Sequence, residues 1–172
     1  MKIIEGGICS VRGVRANGIK EGKYGLAVIV PEAKCLTTAG VFTRNKVIAA
    51  PLIVTRDNLQ NHDLRGIIAN SGCANAFTGE KGLHDARWMA GLLAAKLECS
   101  EDEIGVASTG VIGRNLDTEW IGGNIGIVFG GLSATGEGSN RSARAIMTTD
   151  KIKKEVAVEL DNGVRIAGIA KG

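Results

Sequence analysis

The spacing of apolar positions changes between the first third of the chain and its middle, and that change separates strands from helices. Residues 25–30 form a continuous apolar run. Cys35 to Thr43 is rich in small and β-branched residues, and two short apolar segments follow, Leu52 to Thr55 and Gly66 to Ala69. All four read as strands, with Pro31 and Pro51 bracketing strand ends. Runs that are apolar on both faces need cover on both sides, which predicts a layered α/β architecture. From Thr78 the period becomes helical, with Leu83, Ala86, Ala90, Leu93, Ala94 and Leu97 on one face and Thr78 placed to cap. A second helix is predicted after Asp117, carrying Trp120, Ile121, Ile125 and Val128 through several glycines, and a short third one over Ser139 to Met147. Thr148 to Asp150 is expected to be extended. Glu155 to Leu160 and Val164 to Ala170 then read as strands joined by an Asn162-Gly163 hairpin turn.

Composition narrows this picture. The 172 residues include 25 glycines but only six aromatic side chains, so the core must be aliphatic and closely packed. Residues 1–172 read as one domain. Twenty-one basic and 18 acidic residues leave a formal charge of +3, and the basic ones are dispersed except for the pair Lys153-Lys154. That is no footprint for nucleic acid. No apolar stretch is long enough to span a membrane, and Met1 to Ser10 lacks a signal-peptide core, so a cytoplasmic location is expected. Cysteines 9, 35, 73 and 99 are never closer than 26 residues, and the two histidines, His62 and His84, stand apart from them. No metal site and no cofactor is expected.

Several local patterns resemble catalytic motifs and fail on inspection. Gly18 to Tyr24 is one residue too short for a phosphate loop and has Tyr24 where a magnesium-binding hydroxyl belongs, so it reads as a surface turn. The dinucleotide pattern begun by Gly136 and Gly138 breaks at Arg141. Ser133 follows Gly131 as in a hydrolase elbow, but Thr135 replaces the second glycine. Cys73, in Asn70-Ser71-Gly72-Cys73-Ala74-Asn75, has no nearby base and reads as a buried structural thiol, with the asparagines as candidate cleft residues. Ser108-Thr109-Gly110 follows the apolar strand Ile104 to Ala107. A hydroxyl and an unobstructed backbone N–H at a strand end can donate two hydrogen bonds to an oxyanion, although a tight turn is the commoner meaning of those residues.

Five segments together resemble the bifunctional ornithine acetyltransferases, or glutamate N-acetyltransferases, of arginine biosynthesis. They are Gly13 to Lys20, Ala39 to Asn45, Ala69 to Ala76, Ala107 to Gly113 and Met147 to Asp150. Members of that family cleave their precursor at an Ala-Thr bond into an α chain and a β chain whose new N-terminal threonine is the nucleophile. The resemblance makes this sequence an α chain, with Lys171-Gly172 shortly before the cleavage bond. The implied fold is a layered α/β sandwich completed by the β chain and similar to that of self-cleaving aminopeptidases.

The resemblance implies transfer of acetyl from N-acetyl-L-ornithine to the threonine and then to L-glutamate. Thr109 and Gly110 match the family's oxyanion pair, and Thr148 and Lys171 match substrate-binding positions. The β chain of the same precursor is the implied partner, in an α2β2 heterotetramer, and the isolated chain is expected to fold poorly. Some members also accept acetyl from acetyl-coenzyme A as a substrate, and these residues do not separate the two kinds. Two other readings stay open at this point. One is the α chain of a self-cleaving amidase or aminopeptidase of related fold, and the other is a non-enzymatic binding module.

Overall fold

In the computed structural model, which describes residues 1–32, 37–61 and 63–171, a four-stranded sheet separates two unlike layers. Its strands are β2 (Val14–Glu21), β3 (Tyr24–Pro31), β4 (Gly66–Cys73) and β5 (Ile104–Val111), in that spatial order. The small sheet beside it is β1 (Lys2–Ile3), β6 (Lys154–Glu159) and β7 (Arg165–Ala170), ordered β1-β6-β7. Neighbours in the four-stranded sheet are antiparallel except β4 and β5. A parallel pair needs a crossover, and α2 (Gly79–Leu97) supplies it.

Alternation along the strands assigns the two layers. Leu26, Val28 and Val30 of β3, Ile68 of β4 and Ile104 and Val106 of β5 are buried in one cluster with side chains of α1 (Ala50–Asn61), α2 and α3 (Thr118–Gly130). The intervening positions meet the other layer. Ala16 clusters with Ile8, Cys9 and Ile29 and with Ala167 and Ile169 of β7. Over the same face runs α4 (Gly136–Ala145), which is close enough that a β-carbon on Gly25 would collide with the Ala145 carbonyl and stand 2.6 Å from Ser71 Oγ. Glycine at that position is a packing requirement.

The helical period and the hairpin turn are realised as expected. Ala86, Ala90, Leu93 and Ala94 are buried along α2, with Leu83 and Leu97 packed at its edges. Asp117 caps α3 by accepting from the Trp120 N–H at 3.0 Å. In the β6–β7 turn, Leu160 N–H donates to the Val164 carbonyl at 2.8 Å and Gly163 N–H to the Leu160 carbonyl at 2.9 Å.

Six expectations are corrected. Leu52 to Thr55 lies inside α1. Pro51 suits a first helical turn, Val54 is buried in the core, and Thr55 Oγ1 donates to the Val106 carbonyl at 2.8 Å while accepting from its N–H at 2.7 Å, so packing overrides β-branched propensity. Residues 35 and 36 of the Cys35 to Thr43 stretch lie outside the described residues, and 37–43 form no strand; there Thr38 is tied to Asp63 by N–H and hydroxyl bonds of 3.0 and 3.2 Å. Residues 148–150 are likewise not in a strand. Gly18 to Glu21 is no turn but the end of β2, and only Gly22 and Lys23 turn the chain into β3. The third helix starts and ends earlier than expected, at Gly136 and Ala145. Thr78 occupies the N-cap position of α2 without capping it, because its hydroxyl donates to Asn75 Oδ1 at 2.8 Å.

The contrast between two glycines tests this packing. Gly123 in α3 has open space around its missing side chain. Gly123→Ala should raise stability by up to about 1 kcal/mol through higher helix propensity. Gly25→Ala should lower it by roughly 1–3 kcal/mol, because a backbone carbonyl must move. Denaturant unfolding of the two variants measures both, and equal midpoints would refute the close approach of α4 to β3.

Candidate active site at the ends of the central strands

The C-terminal ends of β4 and β5 converge on a cleft of about 610 Å³. Its walls come from five separate parts of the chain: Lys23 in the β2–β3 turn, Gly72, Ala74 and Ala76 at the end of β4, residues 108–112 at the end of β5, Thr148 and Thr149 after α4, and Lys171. Thr109, Gly110, Thr148 and Lys171, the four candidate site residues, therefore share one cleft.

The wall is shaped by a close approach between paired glycines. Gly72 and Gly110 are partners in the parallel ladder, where the register slips by a bulge at Cys73. A β-carbon on Gly110 would collide with Gly72 and stand 2.6 Å from the Cys73 nitrogen, and one on Gly72 would stand 2.8 Å from the Lys23 carbonyl. Their φ angles, 137° and 104°, lie where L side chains are strained, so both positions require glycine. The wall at Gly110 is consequently bare backbone. Beside it the hydroxyl of Thr109 is buried and has no hydrogen-bond partner among the described residues, and the same holds for Ser108 Oγ. An unpartnered buried hydroxyl at a cleft is a donor in want of an acceptor.

Behind this wall, residues 73–78 form a knot of hydrogen bonds. Asn75 is fully buried in a left-handed conformation (φ 46°), its amide donating to the Gly82 carbonyl at 2.8 Å and its N–H to Cys73 Sγ at 3.3 Å. Asn70 Nδ2 donates to the Cys73 carbonyl at 3.0 Å, and Ala74 N–H to the Val111 carbonyl at 2.9 Å. Both asparagines thus brace the loop and do not line the cleft, contrary to the expectation for them. Cys73 is buried, with Sγ 3.1 Å from the Arg114 carbonyl, and burial pushes its thiol pKa up, as suits a structural cysteine.

Three residues at or beside the cleft escape the sequence reading. Lys23 and Thr149 line it, Thr149 being adjacent to a residue already singled out and Lys23 having no local signal at all. Lys20 lies just behind, where its ammonium donates to Ser71 Oγ at 2.7 Å, to the Lys23 carbonyl at 3.3 Å and to the Met147 carbonyl. Burial lowers the pKa of Lys20 from its ordinary value. Lys23 and Lys171 line the cleft and no carboxylate does, so the described walls favour an anionic ligand group.

The remaining motif residues lie elsewhere. Ser133 pairs through its backbone with Ala16, and its hydroxyl is 2.7 Å from that of Thr135. His84 is largely exposed, 3.5 Å from Asp85 in a separate depression, and His62 lies outside the described residues. Among the described residues no three His, Cys, Asp or Glu side chains are grouped to hold a metal ion, and no helix is long and apolar enough to cross a membrane.

Known proteins resemble this chain in both sequence and structure. It is 56% identical over 173 residues to glutamate N-acetyltransferase of Methanosarcina acetivorans, and 48% identical over 165 residues to the arginine biosynthesis bifunctional protein ArgJ of Archaeoglobus fulgidus. These matches cover 100% and 96% of the chain but only 43% and 42% of the relatives, so the chain spans less than half their length. Among solved structures, ornithine acetyltransferase of Mycobacterium tuberculosis, crystallised with ornithine, superposes with a TM-score of 0.94 at 35% identity, over 99% of this chain and 94% of that one. The bifunctional ArgJ protein of Bacillus halodurans gives 0.89 at 36% identity, with the same coverage. A sequence model of the ArgJ family matches residues 11–172, nearly the whole described structure, and the chain belongs to that family.

Proposed function

We propose that this chain, joined by a second chain cut from the same precursor, transfers an acetyl group from N-acetyl-L-ornithine to L-glutamate in arginine biosynthesis. The observation that carries this reading is the convergence of Thr109, Gly110, Thr148 and Lys171 on one cleft lined by lysines and free of carboxylates among the described residues. Both substrates present an α-carboxylate, which an ammonium and a hydroxyl at the cleft wall suit.

The nucleophile in this reading is the N-terminal threonine of the partner chain. Its own α-amine takes the hydroxyl proton as Oγ attacks the acetyl carbonyl. The carbonyl oxygen becomes an oxyanion, and the Thr109 hydroxyl, buried and unpartnered before substrate arrives, donates to it together with the Gly110 N–H. Collapse breaks the amide C–N bond, the ornithine nitrogen leaves with the proton, and an acetyl ester remains on threonine. The glutamate amine then attacks that ester through the same oxyanion site, the ester C–O bond breaks, and the threonine oxygen leaves with the proton the amine gives up, which restores the free hydroxyl. Lys171 and Thr148 hold the amino-acid portion in both halves. An α2β2 assembly in the cytoplasm and a requirement for no added cofactor complete the proposal, and whether acetyl-coenzyme A also serves as donor is a property of the assembled enzyme.

Intact mass spectrometry of the full-length protein after incubation with N-acetylornithine tests the core of it. A chain beginning with threonine and heavier by one acetyl group is the expected result, and removal of that acetyl by glutamate but not by water distinguishes a transferase from an amidase. An unmodified single chain would refute the reading. Thr109→Ala should lower kcat by about 10²–10³, as loss of one oxyanion donor does, and an unchanged rate would remove Thr109 from that role. Lys171→Ala should instead raise KM by roughly tenfold, about 1.4 kcal/mol of binding, with little change in kcat.

A further inference from the structure

Lys20 stands on β2, outside the cleft, yet its ammonium gathers three of the five chain segments from which the cleft is made. One proton goes to the carbonyl of Lys23, itself a cleft residue. Another goes to Ser71 Oγ, one residue before Gly72, and the third to the Met147 carbonyl, one residue before Thr148. An ammonium has three donors, and three acceptors use them all. The Ser71 hydroxyl passes the connection on, donating at 2.7 Å to the carbonyl of Ala145, the last residue of α4. A cation at that end also meets the negative pole of the helix. The close approach of α4 to β3, permitted by Gly25, brings these carbonyls within reach of a lysine on the neighbouring strand.

We propose that Lys20 is a positioning residue for acetyl transfer, holding the segment after α4 against the ends of β3 and β4 so that Thr148 and Thr149 face Thr109 and Gly110 across the cleft. The proposal rests on the acetyl-transfer reading of the cleft. Lys20 touches neither substrate nor reacting atoms in this arrangement. Its effect passes through the Met147 carbonyl, and no other side chain among the hydrogen bonds of the described residues reaches that atom. A displacement of Thr148 by about 1 Å is enough to weaken a binding contact by an order of magnitude or more.

The test uses full-length protein carrying Lys20→Met, which keeps the aliphatic stem without the charge, and Lys20→Arg, which restores donors and charge. Steady-state acetyl transfer is measured beside hydrogen–deuterium exchange of residues 146–150 without substrate. For Lys20→Met the expected results are a KM for N-acetylornithine raised roughly tenfold, a kcat within about threefold of wild type, and faster exchange confined to 146–150. Lys20→Arg should return both readouts most of the way. Ser71→Ala, which breaks the onward link to Ala145, should move them in the same direction by less, and it carries the test should Lys20→Met fail to fold. Unchanged KM in a Lys20→Met protein that folds would overturn the proposal, as would exchange raised equally throughout the sheet, which marks a purely structural lysine. Should wild-type protein transfer no acetyl group, the functional reading fails by itself, and the exchange pattern alone then decides whether Lys20 holds the segment.

Discussion

Everything at the site depends on how closely β4 and β5 run at the Gly72–Gly110 step. Two side-chain-free residues with positive φ face each other across a parallel ladder, and the bulge at Cys73 lets one strand slip past the other. That slip turns the strand ends into a wall of backbone, with the Thr109 hydroxyl left unpaired next to it. Parallel strands end in loops at the same edge, so one edge receives both the residues 72–76 and the residues 108–112. The buried network around Asn75 and Cys73 keeps this edge from relaxing, since moving any one of its groups leaves a buried donor without an acceptor.

The opposite side of the cleft is built from the second layer. Small residues on β2 and β3, namely Ala16, Gly18 and Gly25, allow α4 to lie almost on the backbone of the sheet. A β-carbon on Gly18 would stand 2.8 Å from the Arg141 carbonyl, so the fit extends along the helix. Part of the high glycine content noted in the sequence finds its reason here. A sheet with larger side chains on this face would push α4 outward and take Thr148 and Thr149 away from the strand ends.

The layers are unequal in another respect. The helical side closes over a continuous aliphatic core, whereas the small sheet leaves Ile3, Val156 and Ile166 exposed on its far face. Val111 and Ile112, which line the cleft, are also exposed.

What the sequence by itself determined is whatever depends on neighbours a few positions away. The helical period of α2, the Asp117 cap, the Asn162-Gly163 turn and the apolar run of β3 follow from local sterics and hydrogen bonds, and all are found in the structure. The site residues Thr109, Gly110, Thr148 and Lys171 were legible through resemblance to a family, while the residue types of Thr109 and Gly110 alone allowed an ordinary turn. Only the tertiary structure decided that Leu52 to Thr55 is helical, because the Val106 backbone that satisfies Thr55 is 51 positions away. It alone brought Lys20 to Met147, 127 positions on, and Lys23 to the cleft. A lysine in a strand carries no mark of what lies across the sheet from it, since register and layer packing, not composition, choose its partners.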